Sequence, residues 1–211
     1  AEECRISHYG SEYETVRSGF PMHPDYQPTD GDIVIQLIYV TAEGLNPETS
    51  PAEDADFWST GAGEFLEDMA GNNAGFVWRF ENKYFELEKP IEEYKMLRSK
   101  GGDPREFIQA AIDASDSEID FSDVDIVVAV LPPNVSSNQV DFSPAVPLQS
   151  DQAFSTSEGN VYRGTLAGSD TRFSEGYLLI AHEIGHLLGL QDYYSYSWTS
   201  EMAYEDQFEF M

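Results

Sequence analysis

Apolar and polar positions alternate along this chain in blocks that read as strands and helices. Residues 33–40, Ile-Val-Ile-Gln-Leu-Ile-Tyr-Val, are rich in β-branched residues and follow Asp30-Gly31, which predicts a strand. After a loop with two prolines, residues 55–69 place Phe57, Trp58, Phe65, Leu66 and Met69 on one side of an amphipathic helix, and Gly71 to Gly75 ends it. Residues 76–87 alternate aromatic and polar, which suits a long strand or a hairpin. A charged, irregular stretch leads to Asp103-Pro104, a helix start with proline at its favoured first position, and Phe107, Ile108, Ala111 and Ile112 form the buried stripe. Residues 126–131 are a fully buried strand closed by Pro132-Pro133. Residues 134–158 read as polar loop, and the segment from Gly159 to Leu166 reads as a short edge strand. The last helical pattern carries Tyr177, Leu178, Ala181, Ile184, Leu187 and Leu188, with Ser174 as its N-cap and Glu175 at its positive end. This order predicts an α/β sandwich with mixed strands, an edge strand forming the rim of a cleft and the last helix at its floor. Unpaired backbone groups on such an edge can take an extended peptide as an added strand, so the edge near Gly159 to Leu166 is the expected substrate-binding element.

Residues 1–30 are polar and broken by Pro21, Pro24 and Pro28, so they read as an N-terminal arm or linker, with one domain over 31–211. His8 and His23 in the arm are either solvated or metal ligands.

The last helix also carries the chemistry. It reads His182-Glu183-Ile-Gly-His186-Leu-Leu-Gly189-Leu-Gln-Asp192, an H-E-x-x-H extended to a glycine and an aspartate. Histidines four apart lie one turn apart on one helix face, so both imidazoles can reach one metal ion. Glu183 sits beside the first ligand and can take a proton from water on the metal. Gly189 permits the left-handed turn that ends a helix, which would bring Asp192 back as third ligand. Three protein ligands with an open position is the pattern of catalytic zinc. A chance match on a buried helix and an inactive zinc site are the competing readings. With Cys4 as the single cysteine, no intrachain disulfide and no thiolate-rich structural site can form. Cys4 can pair outside the chain, or be a remnant of a pro-segment whose thiolate caps the zinc.

Charge changes the picture of partners. The 211 residues hold 39 acidic against 11 basic side chains, a formal charge of −28, which repels nucleic acid and anionic membranes. No apolar run is long enough to span a bilayer, and no signal peptide is visible ahead of Ala1. The acidity is a solvated coat, a calcium-binding surface, or both. Asp120, Asp123 and Asp125, in the acidic stretch 116–125, are the best Ca²⁺ candidates. Asn134-Val-Ser136 fits the N-glycosylation pattern, relevant only to a eukaryotic secretory protein.

The run His182-Glu-Ile-Gly-His186-Leu-Leu-Gly189-Leu-Gln-Asp192-Tyr-Tyr resembles the zinc motif of the immune inhibitor A-like metallopeptidases, secreted bacterial enzymes related to the metzincins in which aspartate is the third ligand. Gly63 to Gly75 with Phe76-Val-Trp is similar to that family's helix before its second strand. Ile119 to Asp125 is similar to its acidic, calcium-associated segment, and the likeness spans about residues 33–195. The resemblance implies a zincin or metzincin-like sandwich with a mixed, mostly parallel twisted sheet. It implies a secreted, monomeric zinc endopeptidase acting on protein or peptide, with Zn²⁺ on His182, His186 and Asp192 and Glu183 as catalytic base. It further implies a methionine turn beyond the third ligand, with Met202 and Met211 as candidates, and a catalytic domain whose C-terminal part is incomplete at Met211. Two rival functions stand beside it: a non-catalytic acidic metal-binding surface or adhesion module, and a zinc hydrolase of non-peptide amides.

Overall fold

A computed structural model of the chain describes residues 4–5, 19–20, 27, 31–71, 73–147 and 152–190. Strands β1 (Cys4–Arg5) and β2 (Gly19–Phe20) pair antiparallel, so the expected arm contains a small ladder. Strand β3 (Gly31–Thr41) is the spine of the main sheet. Its side chains alternate between two apolar cores, Ile33, Ile35, Leu37 and Tyr39 on one face and Ile38 and Val40 on the other. Burial on both faces is why this strand reads as a continuous apolar run rather than an alternating one.

A helix runs from Pro51 to Ala70 in three parts: α1 (Pro51–Asp56), a π-helical stretch Phe57–Ala62, and α2 (Gly63–Ala70). Pro51 stands at its first position, and the Glu53 carboxylate accepts the Ser50 N–H at 2.7 Å. A π turn takes in an extra residue and rotates everything downstream of it. Trp58 and Leu66 therefore bury as expected, whereas Met69, expected on the same stripe, is 59% exposed. The αL residue Gly71 ends the helix.

Strands β4 (Ala74–Phe80) and β5 (Phe85–Glu86) follow. Both pair parallel with β3, β4 along Gly31–Leu37 and β5 at Val40 and Thr41. The 76–87 segment is thus one interrupted strand and not a hairpin. A 3₁₀ turn (Ile91–Tyr94) precedes α3 (Pro104–Ser115), where the Asp103 carboxylate accepts the Arg105 N–H at 2.9 Å as the Asp-Pro signal requires. All five residues of β6 (Ile126–Val130) are buried, with Val127 and Ala129 facing the α3 core and Ile126, Val128 and Val130 the other.

The loop expected over 134–158 holds β7 (Ala145–Pro147) and β8 (Phe154–Ser155), and β8 pairs with β9 (Asn160–Val161). Strand β10 (Arg163–Ala167), a 3₁₀ turn (Ser169–Thr171) and α4 (Tyr177–Leu187) complete the order. The main sheet runs β4-β3-β6-β10-β7, parallel except for β7. The chain is therefore α/β with a mostly parallel mixed sheet, α3 covering one face and the π-helical stretch, α2 and α4 the other.

The edge-strand expectation is corrected here. The Gly159 to Leu166 segment leads into β10, which lies inside the sheet between β6 and β7 with every residue buried. Its polar look misleads because Gly164 is pressed against Phe154 and Ile108, where a Cβ would come within 3.0 and 3.1 Å, and Thr165 satisfies its hydroxyl internally. The edge beside α4 is β7, three residues bounded by Pro144 and ending in Pro147, a residue confined in sheets to such margins.

Candidate metal centre

Helix α4 is held from beneath by apolar residues, while His182, Glu183 and His186 on its other face are half-buried. Ile180, Ala181, Ile184 and Leu187 are fully buried, and each large one contributes about 1.5–3 kcal/mol on burial. The π-helical stretch packs directly on the start of α4. Phe57 meets Tyr177 edge-on at 5.7 Å, and a Cβ on Gly61 would stand 2.6 Å from the Tyr177 ring. The expected N-cap Ser174 is not at the cap, which falls at Gly176; Ser174 instead bonds its neighbour Glu175. The chain there crosses Thr171 so closely that a Cβ on Gly176 would lie 1.9 Å from the Thr171 carbonyl oxygen, so a bulkier cap has no room.

The C-terminal end matches the sequence reading. Gly189 has φ 95°, its N–H bonds the His186 carbonyl at 3.0 Å, and the Leu190 N–H bonds the Gly185 carbonyl at 3.0 Å, the paired bonds of a Schellman motif. The turn also sets a histidine. His186 Nδ1 lies 3.0 Å from the Leu190 carbonyl oxygen, which can only accept, so Nδ1 carries a proton and Nε2 is the nitrogen turned toward His182.

His182 Nε2 stands 3.1 Å from His186 Nε2, with the rings at 80°. Two nitrogens on one tetrahedral Zn²⁺ at about 2.0–2.1 Å sit about 3.3 Å apart, so this pair fits that ion. Glu183 joins them. Ligand atoms of His182, Glu183 and His186, all half-buried, lie within 4.8 Å of one another, and among the described residues no other group of three acidic, histidine or cysteine side chains does so. The Glu183 Oε2 accepts the Ala145 N–H of β7 at 2.7 Å, which ties the carboxylate to the sheet edge.

Behind this face lies a buried ion pair. Arg172 and Asp54 are each 9% exposed, with Arg172 Nη1 2.8 Å from Asp54 Oδ1. Asp54 Oδ2 also accepts from Trp58 Nε1 at 3.0 Å, the guanidinium lies 4.8 Å from the Trp58 ring, and Arg172 Nη2 bonds the Leu131 carbonyl. This cluster links α1, the end of β6 and the approach to α4.

The remaining candidates fall elsewhere. Asp192 lies outside the described residues, as do His8, His23, Met202 and Met211 and the side chain of Cys4. Asp120, Asp123 and Asp125 are not brought together. Asp123 takes both guanidinium nitrogens of Arg79 at 2.7 and 2.8 Å, which holds its carboxyl below the usual aspartate range. Asp120 accepts the Ser122 N–H at 2.9 Å and is lowered by bonding to Ser122, and Asp125 accepts the Val34 N–H at 2.9 Å. The sequence reading missed Ala145 and Arg172. A backbone donor leaves no residue signature, and Arg172 meets Asp54 across 118 positions with no periodicity to announce it.

No protein-family model matches this chain, and no curated protein matches it significantly in sequence.

Proposed function

We propose that the chain is a zinc-dependent endopeptidase, on one carrying observation: His182 and His186 present Nε2 atoms 3.1 Å apart beside the Glu183 carboxylate, which is bonded to β7, the outermost strand on that side of the sheet among the described residues. Zn²⁺ bound there supplies Lewis acidity, bringing the pKa of a water toward neutrality and polarising a carbonyl. His182 and His186 hold the ion, and Asp192 is the proposed third ligand, on the spacing after the Gly189 turn. Glu183 accepts a proton from the attacking water and delivers it to the amine nitrogen as the C–N bond breaks.

Substrate is an extended polypeptide. Among the described residues β7 pairs on one side only, with β10; the Ala145 N–H is taken by Glu183 and Pro147 has none, so its other side offers backbone carbonyl acceptors to an added strand. The H-E-x-x-H-x-x-G-x-x-D signature on an α/β sandwich supports the immune inhibitor A-like, metzincin-related reading, with secretion as its setting. No described helix is long and apolar enough to cross a membrane.

Casein hydrolysis tests the proposal. Chelator should abolish it and zinc restore it, while His186→Ala loses both zinc and activity. Protein that holds one zinc per chain yet leaves casein and gelatin intact would overturn the peptidase reading in favour of a non-catalytic metal-binding module.

A further inference from the structure

We infer that Thr165 is a positioning residue for Glu183, acting through the peptide unit that joins Pro144 to Ala145. The Thr165 hydroxyl lies 3.0 Å from the Pro144 carbonyl oxygen, and the N–H at the other end of that same peptide lies 2.7 Å from Glu183 Oε2. Neither direction is ambiguous. A carbonyl only accepts, so Thr165 donates; an amide N–H only donates, so Glu183 Oε2 accepts. The result is a continuous chain from the interior of the sheet to the metal face: Thr165 hydroxyl, Pro144 carbonyl, Ala145 N–H, Glu183 carboxylate.

Thr165 is suited to that task. It is fully buried on β10, paired with Val128 of β6 and Ala145 of β7, so its hydroxyl has a fixed place. The segment on the other side of Pro144 is fixed as well. Ser143 Oγ accepts the Gly168 N–H at 2.8 Å and donates to Asp170 Oδ1 at 2.5 Å. A three-residue edge strand carries little rigidity of its own, and these bonds are what hold the plane of the 144–145 peptide. Hydrogen bonds in series polarise one another, so the hydroxyl also strengthens the N–H as a donor. The catalytic part of this inference rests on the peptidase reading; the hydrogen-bonded link does not.

Two readouts separate these parts. The first is amide exchange at Ala145, followed by NMR in the metal-free protein. Glu183→Ala should speed it about tenfold or more, the measure of a bond to a charged acceptor, and Thr165→Val should speed it in the same direction. Thr165→Ser, which keeps the hydroxyl, should leave it near the parent value. Thr165→Ala removes the same hydroxyl and gives the same reading if the valine variant does not fold. The second readout is peptide hydrolysis by the zinc-loaded protein. Thr165→Val should lower kcat about tenfold with KM unchanged, the signature of a misheld base, and Thr165→Ser should restore it. Ala145 exchange unaltered in both hydroxyl-free variants would overturn the inference, as would a serine variant no better than valine. A parent protein inert on peptides would defeat the peptidase reading alone, since the exchange experiment still decides the link.

Discussion

Asp54→Ala is a severe single change away from His182, Glu183 and His186. It removes the acceptor of Arg172 Nη1, whose distances to the two carboxylate oxygens are 2.8 and 2.9 Å, and it orphans Trp58 Nε1. Arg172 stays where it is, 9% exposed, against the Trp58 ring and the Leu131 carbonyl, with its charge uncompensated. Breaking a buried pair by deleting one partner costs about 3–5 kcal/mol, because the surviving ion keeps its desolvation penalty and loses its attraction. For a domain of this length each kcal/mol moves Tm by about 2–4 °C, so a fall of about 6–20 °C is expected. Arg172→Met should be destabilising by a similar mechanism, leaving the Asp54 carboxylate buried. The double variant removes both charges and should cost less than the sum of the singles, with a coupling of about 2 kcal/mol or more. Urea unfolding of the four proteins measures each quantity. A cost below about 1 kcal/mol for Asp54→Ala, or strict additivity in the cycle, would refute the reasoning. Since Arg172 stands just upstream of α4, the same variants should also bind zinc more weakly.

Two further outcomes follow from the helix end and the charge. Gly189→Ala forces a Cβ into φ 95° and should cost about 1–2 kcal/mol; by displacing the Leu190 carbonyl from His186 Nδ1 it should also weaken zinc binding about 10–100-fold, and unchanged affinity would show that the turn does not orient the ligand. With a charge of −28, Tm should rise as NaCl is raised from about 0.1 to 1 M, where the Debye length falls from about 10 to 3 Å; a flat or falling Tm would mean that self-repulsion is not a significant term.

The sequence was legible where burial is two-sided or where a cap is chemical. Strands β3 and β6 read plainly because both faces are covered, and α3 because Asp103-Pro104 does its work locally. The juxtaposition of His182, Glu183 and His186 and the Gly189 turn was legible because all four sit within one helix and its end. What failed to read depends on partners far along the chain. Strand β7 is a strand only because β10 pairs with it, and β10 looked like an edge because Gly164 and Thr165 conceal how tightly they pack. The π-helical stretch that sets the approach to Tyr177 is likewise a product of close packing at Gly61, and the 76–87 alternation could not say whether its second half would fold back or resume along β3.

The central claim is tested most directly by peptide hydrolysis measured at matched zinc content for the parent and Glu183→Ala. Glu183 is assigned the proton, with His182 and His186 holding the metal, so the variant should retain one zinc per chain and the fold while losing about 10²–10⁴ in kcat. A variant that hydrolyses peptide at the parent rate with its zinc in place, or one that can no longer hold zinc, would contradict the account.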